Sequence, residues 1–267
     1  MTQLLFNASS PVYYLLLAVI SFIASVLTFY SGFGLGTLLL PVFALWFPLD
    51  QAILMTAIVH FFNSVFKLYL FRKNIDIFIL LRFGIPAILG ALIGSSALVL
   101  LNNVPIRYPL HIGPFNSSLT VINLIIGILI IVFGILEFTG LGKKPLGSKS
   151  MSLGGLLSGF FGGLSGHQGA LRSAFLIRYD LSKLAFISTG VAIACMVDFT
   201  RIAVYLPDIL QGKAELSVGI LIVAILAATV GVIFGNKMLQ KVDIELIRKM
   251  TAYSIIIMGL AILLGLV

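Results

Sequence analysis

Six stretches of the sequence, residues 1–49, 83–106, 108–136, 150–171, 216–236 and 250–267, contain no Asp, Glu, Lys or Arg. A bilayer span needs about 20 mainly apolar residues, so each stretch can supply a crossing or a membrane-inserted segment. Only 10% of the chain is charged and 60% is hydrophobic, against about 25% charged in a soluble globular protein. Little polar sequence is left for an appended soluble domain, and whatever the chain does is expected to happen within the membrane. The excess of 17 Lys and Arg over nine Asp and Glu then reads as anchoring of cytoplasmic loops rather than as a nucleic-acid surface. Met1 to Pro11 lacks the basic region of a secretory signal, so the chain from Val12 onward is expected to be mature structure. The single cysteine, Cys195, lies in an apolar run and reads as a small core residue.

The apolar runs predict helices near 12–30, 37–47, 50–71, 82–101, 119–138, 152–162, 168–178, 183–206, 215–236 and 247–266. Two are too short to cross. Thr37 to Phe47 and Gln168 to Arg178 each reach about 16 Å, half of a hydrocarbon core of about 30 Å. Both follow glycine-rich breaks, Ser31 to Gly36 and Gly162 to Gly169. A shift of 133 residues places Gly36 on Gly169, Ala52 on Ala185 and Thr56 on Thr189, a weak internal repeat. The expected division is a first transmembrane repeat at 1–141, a basic cytoplasmic linker at 142–150 and a second repeat at 151–267.

Loop charge orients the halves. The connectors 72–82, 139–150 and 237–249 are basic and belong inside, whereas 102–118 and 207–214 belong outside. The count of crossings closes if each half starts with a re-entrant hairpin. The expected fold is therefore an all-α polytopic membrane protein of two inverted repeats, each a re-entrant or broken-helix hairpin plus three transmembrane helices. Secondary transporters use that plan for alternating access.

A half-helix starting in mid-bilayer aims unpaired N–H groups and about half a positive charge at the midplane, and two such ends make an anion site. Arg172, one turn into the second half-helix, is costly at that depth unless water, a partner or an anion compensates it. Lys67 and Arg201 lie nearer helix ends, where snorkelling competes with function. Asp198 and Arg201 share a helix face at i,i+3 and read first as a structural ion pair, with a protonatable relay as the sharper alternative. His60 and His167 can change charge near neutral pH and are, with Asp198, the candidate proton-coupling residues. No grouping of His, Cys, Asp and Glu has metal-ligand spacing. Ser165 beside His167 is the nearest imitation of a hydrolytic site.

The run Gly32-Phe33-Gly34-Leu35-Gly36-Thr37-Leu38-Leu39-Leu40-Pro41, followed by the polar helix around His60, Asn63 and Lys67, resembles the TauE/SafE family of membrane permeases. So does Gly163-Leu164-Ser165-Gly166-His167-Gln168-Gly169-Ala170-Leu171-Arg172 at the matching place in the second half. Many members carry a glycine triplet in both halves; here Leu35 interrupts the first, and His167 and Gln168 replace glycines in the second. The resemblance implies a transporter of sulfite, sulfoacetate or a related organosulfur anion across the plasma membrane. The substrate-binding residues it implies, together with the charges above, are Gly32, Gly34, Gly36, Thr37, Asn63, Lys67, Gly166, His167, Gln168, Gly169, Arg172 and Arg201. The expected partners are a small anion, the lipid bilayer and candidate coupling protons, with no cofactor, metal or nucleic acid. An anion channel is the first competing reading and an intramembrane enzyme the second.

Overall fold

The computed structural model describes residues 11–31, 35–104, 106–112, 115–139, 150–211, 216–238 and 244–266. Among them are ten α-helices: α1 Pro11–Ser31, α2 Leu35–Ala44, α3 Leu49–Phe71, α4 Ile77–Asn102, α5 Val121–Thr139, α6 Met151–Ser165, α7 Gln168–Leu176, α8 Lys183–Leu210, α9 Val218–Met238 and α10 Ile244–Leu263. Six of them, α1, α3, α4, α5, α8 and α9, are long and apolar enough to cross a membrane. The protein is a helical, multi-pass membrane protein. At about 1.5 Å per residue, α2 with ten residues and α7 with nine cannot span, and α6 with 15 reaches only about 22 Å.

Most boundaries follow local chemistry. Helix α4 starts five residues before the expected position 82, because the Asp76 side chain accepts from the Ile79 N–H at 2.9 Å and caps it. Arg82 is accommodated on an exposed face, its guanidinium 4.7 Å from the Phe78 ring centre. Ser150 and Ser182 cap α6 and α8 in the same manner. Helix α6 runs to Ser165, three residues past the expected end, and stops at Gly166 with φ +82°, a left-handed cap that favours glycine. The connector 102–118 holds an addition that the apolar pattern did not announce, an antiparallel hairpin of β1 Arg107–Ile112 and β2 Phe115–Thr120.

The halves of the chain interlock. Helix α4 packs on α6, α1 on α9, α5 on α10 and α3 on α8. In the α4–α6 seam the backbones touch: a Cβ added at Gly155, Gly159 or Gly163 would lie 2.1, 2.0 or 2.4 Å from the carbonyl oxygens of Phe83, Ala87 and Ala91. Such close approach supplies van der Waals contact where lipid removes the usual hydrophobic drive between helices. Apolar clusters lie to either side, one around Leu39, Phe43 and Met55, the other around Phe83, Phe175 and Val197. The buried polar residues Thr56, His60, Lys67, Gln168, Arg172, Asp198 and Arg201 all lie on α3, α7 and α8.

Candidate functional site

Helices α3 and α8 run antiparallel. The Asp76 N–H just after α3 donates to Thr189 Oγ1 near the start of α8 at 2.9 Å, while Asp50 and Leu54 at the start of α3 share a pocket with Tyr205 and Asp208 at the end of α8. The centre of this pair holds Asp198, which is fully buried. His60 Nδ1 lies 2.5 Å from its Oδ2. Arg201 Nε donates to Oδ1 at 3.0 Å, with Nη2 2.9 Å from the same oxygen as an ion-pair contact without hydrogen-bond alignment. Gln168 Nε2 donates to Oδ1 at 3.4 Å. A buried carboxylate is stable only when paired and hydrogen-bonded, and this one draws its partners from α3, α7 and α8.

The two chain breaks meet at the same place. A Cβ added at Gly36, at the start of α2, would stand 3.2 Å from Thr56 Cγ2, 3.9 Å from the Gly166 carbonyl oxygen and 4.0 Å from His60 Cδ2. One added at Gly166 would stand 2.9 Å from Arg201 Nη1. That Nη1 is buried and has no hydrogen-bond partner among the described residues. His167 stacks on Phe133, with centroids 5.6 Å apart, and its Nδ1 lies 3.0 Å from the Ser165 carbonyl oxygen. That bond needs the proton on Nδ1, so the neutral ring keeps Nε2 as its lone-pair nitrogen; Nε2 is buried and has no hydrogen-bond partner among the described residues.

A cavity of about 50 Å³ reaches His60 from the end of the molecule where α3 finishes and α8 begins. On the same measure one water needs about 10–15 Å³, so a small anion with some of its hydration fits. Among the described residues its lining includes Lys67, Arg172, Thr28, Ser64 and Ser173, and no Asp or Glu. Lys67 and Arg172 are each only 7% exposed. Lys67 Nζ lies 5.5 Å from the Phe29 ring centre. Arg172 Nη1 donates to Gln168 Oε1 at 3.4 Å, and Gly190 makes room for its guanidinium, since a Cβ there would be 3.3 Å from Nε.

A second pocket, of about 160 Å³, opens at the opposite end and carries the other sign. Among the described residues Asp50, Asp208, Asn102, Asn103 and Tyr205 line it, without a Lys or Arg. Asn102 Nδ2 donates to Asp50 Oδ2 at 3.0 Å, and the Tyr205 hydroxyl donates to the Gly163 carbonyl at 2.9 Å. Along α8 the order is therefore Gly190 and Ala194 in the basic cavity, Asp198 and Arg201 between, then Tyr205 and Asp208 in the acidic pocket.

The residues expected from the sequence divide accordingly. Lys67, Arg172 and His60 line the basic cavity. Gly36, Gly166, Gln168, Asp198 and Arg201 gather at the centre. Thr37, His167 and Gly169 are buried on or beside the half-helices and line neither space. Asn63 instead meets α1, where Ser25 Oγ lies 3.3 Å from its Oδ1 and also donates to the Ala228 carbonyl, which makes it a helix-to-helix tie. Gly32, Gly34 and residues 140–149 of the linker region lie outside the described residues. Sequence reasoning missed Thr28, Ser64, Ser173 and Gly190 and the whole acidic pocket, whose only signal was the pair of acids at the ends of α3 and α8. Among the described residues no three His, Cys, Asp or Glu side chains come together to hold a metal ion.

The model of the sulfite exporter TauE/SafE family matches residues 17–262. No curated protein matches the sequence. With all but the two ends of the chain covered, the protein belongs to the TauE/SafE family and is a membrane transport protein of the anion-exporter kind.

Proposed function

We propose that the chain carries a small oxyanion, sulfite, sulfoacetate or a related organosulfur anion, across the membrane by alternating access. The observation that carries the proposal is the pair of cavities on opposite sides of the Asp198 cluster, one of them lined by two buried cations. Arg172 offers a planar fork that can hold an oxyanion through two parallel bonds, Lys67 adds a point charge, and the Ser64 and Ser173 hydroxyls can replace hydration. By the excess of basic residues in the connectors next to it, the basic cavity faces the cytoplasm. The transporter is then in an inward-facing state, closed toward the acidic pocket by His60, Asp198 and Arg201.

The repeats 1–141 and 151–267 are inverted in this proposal. In support, α1 on α9 and α4 on α6 are the same kind of contact with the halves exchanged, while α3–α8 and α5–α10 each pair an element with its own counterpart. Two inverted halves can exchange roles, which opens the other side of a fixed site. Protons are the proposed coupling ion. His60 and Asp198 share a hydrogen bond beside the cavity, and the free lone pair of His167 can receive a proton.

Purified protein in liposomes tests the proposal. Sulfite-loaded vesicles should take up labelled sulfite by counterflow that saturates and that an imposed pH gradient changes. Flux that rises linearly with concentration and shows no counterflow makes the protein a channel instead. Flux indifferent to the pH gradient removes His60, His167 and Asp198 as proton carriers.

A further inference from the structure

We infer that Asp198 is a tethered anion, which occupies Arg201 in the empty protein and gives up part of that guanidinium to the transported anion. The inference rests on the anion-transport reading and adds the step by which cargo opens the barrier. The Asp198 carboxylate already sits where a free oxyanion would be held, with donors from His60, Gln168 and Arg201 around it. Yet it satisfies the guanidinium only in part. One oxygen takes both Nε and Nη2, the Nη2 contact lacks hydrogen-bond alignment, and Nη1, beside Gly166, is buried without an acceptor among the described residues. A buried guanidinium nitrogen without an acceptor is costly, so the site has an unmet demand for a second anionic oxygen.

The Nη1 and Nη2 edge of Arg201 forms the fork that a tetrahedral or pyramidal oxyanion matches with two oxygens. An anion taking that edge draws Nη2 away from Asp198. That contact lies within α8, but it neutralises the carboxylate that joins α8 to His60 of α3 and Gln168 of α7, so its loss unbalances the junction of the three helices where the basic cavity ends at His60. Cargo and barrier thus compete for one side chain. An empty protein stays shut because its own carboxylate fills the position, and the switch needs no group beyond those present.

The experiment is a double-mutant cycle read as sulfite-dependent thermal stabilisation of the full-length protein in detergent, with chloride as the control salt. Asp198→Asn removes the competing charge and should tighten sulfite binding about tenfold or more, the usual weight of one charge-assisted bond. In an Arg201→Gln background the same change should gain nothing, since no guanidinium remains to be competed for. An equal gain in both backgrounds would mean general repulsion and would overturn the inference, as would unchanged affinity in a folded Asp198→Asn protein. Should that variant fail to fold, infrared difference spectra of the unmodified protein labelled with 13C-aspartate decide the point. Sulfite must shift a carboxylate stretch, and a flat difference spectrum refutes the competition. Absence of any sulfite stabilisation, in wild type and all variants alike, instead defeats the anion-transport reading itself.

Discussion

The two cavities lie on the same pair of helices and differ in sign. Lys67 and Arg172 make one basic, Asp50 and Asp208 make the other acidic, and the buried Asp198 cluster stands between them. Low-dielectric walls focus such fields, so the basic cavity concentrates anions and the acidic pocket repels them. The asymmetry cannot change the equilibrium a transporter reaches, but under the proposed alternating access it would give each face a different apparent affinity. In the proposed cycle the basic side then binds anions at lower concentration than the acidic side.

Removing the basic character should have the largest effect. Arg172→Ala is expected to lower sulfite flux about a hundredfold, the scale of one lost buried charge-assisted pair. Arg172→Lys should recover only part of it, because a lysine keeps the charge and loses the fork. Flux in liposomes checks both, and unchanged affinity in a folded Arg172→Ala protein would show that the cavity's sign is incidental. Gly190→Ala is a subtler test, placing a methyl 3.3 Å from Arg172 Nε and so shifting the fork without altering charge. A loss of about tenfold in sulfite affinity is expected, on the general sensitivity of fixed polar geometry to displacement.

The smallest effect belongs to the acidic pocket. Neutralising it with Asp50→Asn and Asp208→Asn together should lower the half-saturating sulfite concentration about threefold on that face alone. The difference should shrink as salt rises, because exposed charges are screened over about 8–10 Å. Sided uptake measurements at low and high ionic strength read this directly. An equal change on both faces would dissolve the distinction between the two cavities.

These contrasts were unevenly legible. The half-helices could be read because apolar length and glycine-rich breaks are local features, and the left-handed Gly166 is the physical reason a glycine stands at one of them. The Asp198–Arg201 pair followed from i,i+3 spacing. Its bond to His60 did not, since 138 residues separate them and only the crossing of α3 with α8 joins them. Asn63 looked like a ligand because it sits in a polar helix among His60 and Lys67. Its side chain points around the helix to Ser25, a direction that depends on where α1 packs. The acidic pocket was invisible because Asp50, Asn102 and Asp208 belong to three helix ends far apart in the chain, each unremarkable alone.

The central claim is that the two cavities open to opposite sides of the membrane and that the Asp198 cluster separates them. In a background lacking Cys195, single cysteines at Ser173 and at Asn103 can be labelled by a membrane-impermeant thiol reagent applied to one face of sealed vesicles at a time. Ser173→Cys should react only from the cytoplasmic face and Asn103→Cys only from the outer face. Saturating sulfite should change the two reactivities in opposite directions. Reaction of both positions from the same face, or parallel changes with sulfite, would contradict the account.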